Sequence, residues 1–342
     1  MKILIVCSPR TSVMLAVEVA RSMPDATFDM FVDYIQPRDL VEIRKTKNIN
    51  LLRKMIEAVI HLPGYVSLIT FGSSLHQSAK NCFFFAGLFK KYGIPRYEIQ
   101  HGLFQQGITI NLSSAVEEGA IVTDHVVSWR EYGVPMKVGH NTGGCAIGVM
   151  TNLHWGAYSD LERSLFNRSI DSIARAHPDI PIKWRHHPSE LVRDQVYPGI
   201  GKLGWPISNL RSMSFDESEK EIVDEFLSDV NILISTPSTV ILDGQRLSKK
   251  TIVFNSKKLS PYFSDFKSIS VARTPDEFKR AVSSVLAGEE GGDIDTGLSI
   301  GFDGKALSKL IDRNRQDVGS IQIEDVAIYA LELAGNIGLK LV

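Results

Sequence analysis

Two short polar motifs lie where apolar stretches of the chain end. Arg185-His186-His187-Pro188 follows the mainly apolar residues 180–184, and Ser235-Thr236-Pro237-Ser238-Thr239 follows the apolar run 230–234. Both runs have the length and composition of β-strands, and a helical pattern with Asp243 in its first turns follows the second motif. In open α/β sheets, ligands bind at strand-to-helix turns of this kind. The two motifs therefore predict a ligand site at the carboxyl ends of two strands.

The side chains of these motifs are suited to a nucleotide. Arg185 can neutralise a phosphate, and the imidazole of His187 can donate a hydrogen bond to a phosphate oxygen. The hydroxyl groups of Ser235, Ser238 and Thr239, together with the N-terminus of the following helix, suit a phosphate or a ribose.

Each of these residues also has a plainer interpretation. Two adjacent histidines can merely flank a turn, and a serine or threonine before a helix is often a simple cap. Asp243 can accept a hydrogen bond from a ribose hydroxyl or only complement the helix dipole. The occurrence of both motifs in one half of the chain favours nucleotide binding. Because side chains alternate along a strand, His186 is expected to face away from Arg185 and His187.

A third motif, Tyr97-Glu98-Ile99-Gln100-His101-Gly102, follows a strand-like stretch in the first half. His101 is the best candidate for a general base, because a histidine that titrates near neutrality takes a proton from an acceptor hydroxyl efficiently. Gly102 lets the backbone approach a substrate closely. Gln100 is expected to line the cleft that holds this substrate. Glu98 is a base, the nucleophile of a double displacement, or a solvated charge at a strand edge.

Together, Gln-His-Gly, Arg-x-His-Pro and Ser-x-x-Ser-Thr-x-x-x-Asp resemble the motifs of GT-B glycosyltransferases that build bacterial surface polysaccharides, over roughly residues 60 to 255. They are similar to the Trp-His-Gly, Arg-x-His-Pro and Asp-Tyr-Ser-Ser-x-x-x-Asp motifs of CDP-glycerol glycerophosphotransferases. They are also similar to the His-Pro and Ser-Ser motifs of Kdo transferases and sialyltransferases, which use CMP-sugars. The resemblance implies that His187 contacts the nucleotide phosphate and that His101 is the base. Gln100 replaces the tryptophan, and Thr236-Pro237 replaces Asp-Tyr, which weakens the case for a CDP-polyol donor.

Alternating strand and helix patterns predict an α/β protein with mainly parallel sheets and helices on both faces. The 342 residues are enough for two domains. We expect a GT-B-like fold in which two Rossmann-like domains face a central cleft. Residues 1–145 would form the acceptor-side domain and 146–320 the domain that binds the donor nucleotide. The resemblance places a C-terminal helix, within 321–342, back on the first domain.

The periodicities also predict individual elements. Strands are expected at 2–7, 28–32, 65–71, 97–100, 120–122, 126–129, 146–150, 230–234 and 250–254, with a further strand ending at 185. Helices are expected at 13–22, 39–62 (one or two), 81–92, 159–176, 218–227, 240–247, 276–287 and 323–334. The Gly-rich stretch 288–304 is interpreted as a mobile surface segment.

The composition limits the possible partners. A net charge of −1 provides no basic field for nucleic acid, and no apolar run approaches the ~18 residues of a membrane span. Cys7, Cys82 and Cys145 are too scattered for a disulfide framework or a zinc site. They are interpreted as buried free thiols of a protein in a reducing cytoplasm. No metal or other cofactor is expected, because the one Asp-x-Asp pair, Asp293 and Asp295, lies in the Gly-rich stretch.

Other residues of the first half are candidates for contact with an acceptor. Arg10, Gly72 and Ser73 follow strands, although small residues at strand ends need no function. A basic surface is expected around residues 38–54. It is either a simple solvated face or a peripheral contact with the anionic inner face of a membrane that displays a lipid-linked acceptor. Its cationic residues are Arg38, Arg44, Lys45, Lys47, Arg53 and Lys54.

These expectations favour a metal-independent glycosyltransferase. It would move a sugar from a nucleotide donor, CMP-linked (Kdo or sialic-acid-like) or CDP-linked, to a bacterial surface glycan or glycolipid. Two alternatives of the same fold stay open, a CDP-polyol phosphotransferase and a UDP-sugar epimerase. An epimerase is expected to carry Gly-Gly after the serine of the second motif, which Pro237-Ser238-Thr239 lacks. A third alternative is a nucleotide-binding relative without catalysis.

Overall fold

The structure of the protein is a computed structural model that describes most of the chain. The described residues are 1–7, 12–33, 35–71, 80–100, 102, 123–141, 143–153, 158–187, 190, 208–214, 216–217, 221–256, 271–289 and 298–341. The strand predicted at 120–122 and the candidates Arg10, Gly72, Ser73 and His101 lie outside these residues.

Twelve β-strands form two six-stranded sheets within the described residues. Sheet 1 contains β1 (Lys2–Cys7), β2 (Thr27–Val32), β3 (Ile49–Leu52), β4 (Ser67–Thr70), β5 (Arg96–Ile99) and β6 (His125–Val127). Sheet 2 contains β7 (Ala146–Met150), β8 (Ile182–Arg185), β9 (Leu210–Ser212), β10 (Val230–Ser235), β11 (Lys250–Phe254) and β12 (Val271–Ala272). Every pair of neighbouring strands is parallel.

Helices connect these strands along the described chain. They are α1 (Ser12–Ser22), α2 (Pro37–Lys45), α3 (Met55–Ile60), a 3₁₀ helix (Leu62–Gly64), α4 (Lys80–Lys91), α5 (Trp129–Tyr132), α6 (Asp160–Ala176), α7 (Val223–Ser228), α8 (Val240–Arg246), α9 (Pro275–Ala287), α10 (Gly304–Asn314) and α11 (Ile323–Asn336). No described helix combines the length and the apolar composition that a membrane crossing requires.

The two sheets have the same strand order. Sheet 1 runs β3-β2-β1-β4-β5-β6, and sheet 2 runs β12-β11-β10-β7-β8-β9. Counted from the first strand of each sheet, both orders are 3-2-1-4-5-6, the order of Rossmann-like sheets. In such a sheet, the chain turns in opposite directions from the two central strands and leaves a crevice at their carboxyl ends. That crevice lies between β1 and β4 in sheet 1, and between β7 and β10 in sheet 2.

The described chain groups into two compact units. Unit 1 comprises Met1–His101, Gln105–Lys137 and Leu298–Val342, and unit 2 comprises Gly102–Phe104 and Val138–Gly297. Helix α11 packs on α3 and α4 within unit 1, and its Val326, Ala330 and Ala334 join the buried core there. The domain boundaries expected after residues 145 and 320 stay a prediction.

Local sequence explains where the longest helices begin and end. At the start of α6, the Ser159 hydroxyl accepts from the backbone N–H of Glu162, and the Glu162 carboxylate accepts from that of Ser159. This reciprocal pair is a capping box. Helix α9 begins after Thr274, whose side chain accepts from Glu277 N–H, and ends at Gly288 in the left-handed conformation at φ 71°. A glycine adopts that conformation without steric cost.

Close packing in unit 2 requires glycine on β7. A Cβ atom on Gly148 would lie 2.8 Å from Cε1 of Phe226 and 3.0 Å from Cγ1 of Val230. Helix α7 therefore lies directly against the middle of sheet 2. On the opposite face, Phe166 of α6 contacts the Trp184 ring edge to face, with 5.7 Å between the ring centroids. These apolar contacts hold β7 and β8 rigidly enough to position the polar residues that follow them.

A buried carboxylate lies near the start of β2 in unit 1. Asp29 is 1% exposed and accepts hydrogen bonds from the Tyr65 hydroxyl at 2.6 Å and the Asn50 amide at 3.0 Å. The Lys2 ammonium lies 2.9 Å from it, and Nδ1 of His61 lies 3.3 Å from it. Burial alone would raise the pKa of Asp29, but these partners hold it below its usual range. The cluster joins β1, β2 and β3 to the segment before β4.

Several predicted elements differ from the structure. The helical pattern over 39–62 contains the strand β3 between α2 and α3, and the strand expected at 126–129 ends at residue 127, where α5 follows. Of the helix expected at 218–227, residues 218–220 lie outside the described residues, and the described helix α7 begins at 223. The 288–304 stretch includes the buried Leu298 and a hydrogen bond from Val134 N–H to the Ser299 carbonyl, so its described end packs inside unit 1. Strands β9 and β12 and helix α10 were not predicted.

Candidate functional site

The first polar motif lies at the carboxyl end of β8, as predicted. Along the strand, burial alternates: Trp184 and His186 are buried, whereas Arg185 is half-buried. The rings of Trp184 and His186 stack at 4.7 Å. His187 is exposed at the point where the chain leaves the sheet. At this strand end, Trp184 and His186 therefore face the interior of unit 2, whereas Arg185 and His187 are not fully buried.

Glu190 organises this strand end, and it was not identified from the sequence. Its carboxylate accepts hydrogen bonds from the Thr151 hydroxyl at 2.7 Å, from the backbone N–H of His187 at 3.3 Å, and from the backbone N–H of Leu153. Nδ1 of His186 lies 3.3 Å from the same carboxylate. Glu190 and His186 are both completely buried. The carboxylate therefore joins the segment after β7 to the segment after β8.

The polar contacts continue to both sides of Glu190. Nε2 of His186 lies 2.8 Å from the hydroxyl of Ser212, the last residue of β9. On the other side, the Trp184 indole N–H donates to the Thr151 hydroxyl at 3.3 Å. We call Ser212, His186, Glu190, Thr151 and Trp184 the edge network. It connects the carboxyl ends of β9, β8 and β7; His186, Glu190, Thr151 and Trp184 are buried, and Ser212 is exposed at its outer end.

The second motif borders the crevice between β7 and β10. The hydroxyl of Thr236 donates to the side-chain oxygen of Asn152 at 2.6 Å, and the Asn152 amide donates to the Pro237 carbonyl at 2.8 Å. The Ser235 hydroxyl is completely buried and donates to the Thr236 carbonyl at 2.6 Å. Ser235 was predicted as a donor-binding residue, but its hydroxyl is engaged in the turn. Thr236 and Asn152 fix the floor of the crevice instead.

Ser238 and Thr239 are half-buried and directly precede α8. The Ser238 oxygen accepts from the backbone N–H of Val240 at 3.4 Å, whereas Thr239 has a helical backbone and makes no capping hydrogen bond through its side chain. Ser238 is therefore the residue whose side chain contacts the helix start. Both hydroxyl groups lie at the same edge of sheet 2 as His187. Because neighbouring strands are about 4.8 Å apart, the ends of β8 and β10, with β7 between them, are separated by about 10 Å.

Asp243 lies within α8 and is bound by an arginine. Nε and Nη2 of Arg246 donate to its carboxylate at 3.2 and 3.1 Å, and Arg246 also contacts Asp224. Burial raises the pKa of Asp243 from its ordinary 3.8 to about 6, and the charge of Arg246 opposes this rise. The positive charge of Arg185 acts in the same direction as Arg246. Two roles were expected for Asp243 from the sequence, contact with a ribose hydroxyl or interaction with the helix dipole. Neither expectation included this ion pair with Arg246.

The third motif is buried where it is described. Glu98 has no exposed surface and lies on β5, between β4 and β6, so the interpretation as a solvated strand-edge charge is wrong. Gln100 is also completely buried, and its side-chain oxygen accepts from the backbone N–H of Trp129 at 2.7 Å. Gly102 is buried as well. The Gln100 contact fixes the strand end directly before the predicted base.

The cysteines differ from one another. Cys7 and Cys82 are buried free thiols, and burial raises the pKa of each. The negative charge of Glu98 raises that of Cys82 further. Cys145 is free but exposed, so the prediction of burial is wrong for this residue.

Two Rossmann-like halves built on parallel sheets, with polar motifs at strand ends, define a GT-B-like α/β protein, and the predicted fold class is confirmed. Solved structures share this fold. The UDP-GlcNAc 2-epimerase of Neisseria meningitidis, solved bound to UDP-GlcNAc, matches with a TM-score of 0.58 and 12% identity over 92% of this chain and 100% of its own. The UDP-GlcNAc 2-epimerase of Methanocaldococcus jannaschii matches with a TM-score of 0.58 and 10% identity over 92% and 100%.

A third match is MnaA of S. aureus, solved with UDP, at a TM-score of 0.59 and 10% identity over 91% of this chain and 96% of its own. At identities this low, the likeness shows a shared fold only. No family model and no curated protein matches the chain.

The raised pKa of Asp243 predicts an unusual pH dependence of stability. The folded state holds the proton more tightly than the unfolded state, so the contribution of Asp243 is present at low pH and is lost as pH rises from about 4 to about 6. The full change corresponds to about 3 kcal/mol at most. Urea unfolding of the wild type and Asp243→Asn from pH 4 to 7.5 should show the difference in free energy of unfolding, wild type minus variant, falling across this range.

The neighbouring arginine provides a second variant for the same measurement. Arg246→Met removes the cation that lowers the pKa of Asp243, so the midpoint of the pH dependence should move to higher pH. A wild type minus Asp243→Asn difference that is flat, or that rises with pH, would contradict the assigned burial of this carboxylate.

Proposed function

We propose that this protein is an enzyme that acts on a nucleotide-activated sugar and binds the nucleotide at the carboxyl edge of sheet 2. The observation that carries the proposal is the strand order of sheet 2, which gathers Arg185, His187, Ser238 and Thr239 at one edge, beside the crevice between β7 and β10. Ligands of Rossmann-like sheets bind at such an edge. The fold shared with enzymes solved with UDP or UDP-GlcNAc supports the proposal.

Within this site, the exposed His187 would donate to a phosphate oxygen, and the hydroxyl groups of Ser238 and Thr239 would bind the phosphate or the ribose. The separation of about 10 Å between the ends of β8 and β10 leaves room for a phosphate between them. Arg185 would offset the negative charge from the side of α7, where its Nη2 donates to the Glu221 carbonyl at 3.1 Å. Positive charge from protein groups would stabilise the leaving nucleotide without a divalent cation.

The reaction we propose is transfer of the sugar, from a CMP- or CDP-linked donor, to a surface glycan or glycolipid. The order of the three motifs supports it, and His101 is the proposed base for the acceptor hydroxyl. Since Glu98 has no exposed surface, we assign it a supporting role in the interior of sheet 1 rather than contact with substrate. Arg10, Gly72 and Ser73 remain the proposed contacts with the acceptor.

Nucleotide binding by donor-site variants tests the proposal directly. Thermal-shift measurements with CMP, CDP, UDP and GDP should identify one nucleotide that stabilises the wild type. For that nucleotide, His187→Ala should raise Kd by about tenfold or more, because a hydrogen bond to a charged group contributes about 1.5–3 kcal/mol. His101→Ala should bind the nucleotide normally and lose turnover.

The chain provides a matched control in a second His-Pro pair, His177-Pro178. His177 follows α6, before β8 begins, and therefore lies at the opposite edge of sheet 2. His177→Ala should leave Kd unchanged. Equal weakening by His177→Ala and His187→Ala, or binding of none of the four nucleotides, would reject the proposed site.

A second candidate function is epimerisation of a UDP-linked sugar. The observation that favours it is that solved structures covering nearly the whole chain include UDP-GlcNAc 2-epimerases. Inversion at C2 through removal and return of its proton would incorporate solvent deuterium there. Incubation with UDP-GlcNAc in D₂O, followed by NMR of the sugar, should therefore show no deuterium at C2 if the protein is a transferase. Deuterium incorporation that needs active protein would establish the epimerase instead.

We also propose that the basic surface formed by α2 and the residues on either side of β3 contacts an anionic membrane. The cations Arg38, Arg44, Lys45, Lys47, Arg53 and Lys54 are all exposed. Each cation near a membrane surface contributes about 1 kcal/mol. The protein should therefore bind vesicles that contain phosphatidylglycerol, and should dissociate at high salt.

Charge reversal tests this surface. Arg44→Glu with Arg53→Glu should weaken vesicle binding at least about tenfold, given about 1 kcal/mol per cation. Lys279→Glu with Arg280→Glu, on the exposed face of α9, is the matched control and should bind as the wild type does. Equal binding to phosphatidylcholine vesicles would contradict an electrostatic contact.

A further inference from the structure

Glu190 is a buried carboxylate, and both of its oxygens have hydrogen-bond partners. One oxygen accepts from Leu153 N–H, and the other accepts from the Thr151 hydroxyl at 2.7 Å and lies 3.3 Å from both the His187 nitrogen and His186 Nδ1. An ionised carboxylate has about four acceptor positions and no donor. Three donors converge on it here, and His186 Nδ1 is a fourth in the tautomer that carries its proton, so the environment suits a carboxylate.

The contacts between Glu190 and His187 run in both directions. The His187 N–H donates to the Glu190 carboxylate, and the Glu190 N–H donates to the His187 carbonyl at 2.8 Å. In a capping box, a glutamate three residues after the cap residue likewise reaches back to its N–H. The sequence His187-Pro188-Ser189-Glu190 fits this pattern, with proline at the first position after the cap. The backbone of His187 is therefore held on both its N–H and its carbonyl.

His187 itself is exposed, although everything that holds its backbone is buried. The preceding residue, His186, is held between Glu190 and Ser212 and stacks on Trp184. These contacts restrain the strand end, and so they restrain the direction in which the His187 side chain leaves the backbone. Glu190 sets that direction without reaching the surface.

We propose that Glu190 is a positioning residue, whose buried carboxylate holds the end of β8 to the end of β7 and thereby directs His187 toward the phosphate of the bound nucleotide. The inference rests on the proposed nucleotide site and extends it to a residue that never touches the ligand. A buried ion of this kind is not needed for stability alone, because apolar side chains of similar volume often stabilise a fold as well or better. Its contacts lie at the ends of β7 and β8, beside the proposed nucleotide site.

The test is the isosteric variant Glu190→Gln, which keeps the side-chain shape and replaces one acceptor oxygen with a donor group. Circular dichroism should first establish that the variant is folded. Its affinity for the nucleotide that best stabilises the wild type should then be measured by titration calorimetry at a low temperature. We expect Kd to rise at least tenfold. Hydrogen exchange of the backbone amides of Leu153 and His187 should accelerate in the absence of nucleotide.

The matched control is Glu162→Gln. Glu162 is also a capping glutamate of unit 2, and it accepts from Ser159 N–H at 2.8 Å, but the contact is exposed and lies at the start of α6. This variant should keep the wild-type Kd. If Glu190→Gln does not fold, Thr151→Val removes one donor to the same carboxylate and should raise Kd at least threefold.

The outcomes separate positioning from a merely structural role. A folded Glu190→Gln protein with a lower melting temperature but a Kd within twofold of the wild type would overturn the inference and leave the proposed function intact. If the wild type binds no nucleotide, the proposed function fails, and hydrogen exchange decides the rest. Unchanged exchange at Leu153 and His187 in Glu190→Gln would then reject Glu190 as the group that holds the strand end, whereas faster exchange confined to them would support it.

Discussion

The arrangement of the candidate site depends on the edge network of unit 2. Parallel strands end with unpaired polar groups, and burying such groups without hydrogen-bond partners is costly. Here the side chains of Glu190, His186, Thr151 and Ser212 satisfy one another across three strand ends, and Asn152 with Thr236 does the same across the crevice between β7 and β10. Because Glu190, His186 and Thr151 are buried, they depend on one another for hydrogen bonds, and this favours one mutual arrangement of the ends of β7 and β8.

Much of the fold could be predicted from the sequence, because its central elements have strong patterns. Strand β1 is a continuous apolar run from Ile3 to Cys7, as expected of a parallel strand buried on both faces. Helices with capping residues, such as α6 and α9, have recognisable ends. Strand β3 was missed because Ile49–Leu52 is short and continues the helical spacing of its neighbours, so only its pairing with β2 defines it as a strand. Strands β9 and β12 have three and two residues and no pattern of their own.

The candidate site was predictable only in part, for a different reason. His187 and Ser238 could be proposed from the sequence because they follow strong strand patterns. The roles of Ser235 and Asp243 depend on tertiary contacts that no spacing reveals: the first is engaged with the Thr236 carbonyl, and the second is bound by Arg246. Glu190 did have a signal, the His-Pro-x-Glu spacing of a helix start. That signal predicts a cap, however, and not the convergence of donors from β7 on the same carboxylate.

The shared fold does not choose between sugar transfer and epimerisation, because the proposed nucleotide site at the edge of sheet 2 would serve either reaction. The burial of Glu98 bears on that choice. Epimerisation through removal and return of a proton needs an acid or base on each face of the carbon, and a retaining double displacement needs a carboxylate that reaches the sugar. Glu98 has no exposed surface, so it is enclosed within sheet 1 and is not open to a substrate in this structure. Direct displacement by an acceptor hydroxyl needs one base only, and the strand end before His101 is held by the contact between Gln100 and Trp129. Within the proposal, Glu98 is therefore not counted among the reacting groups, and His101 stays the proposed base.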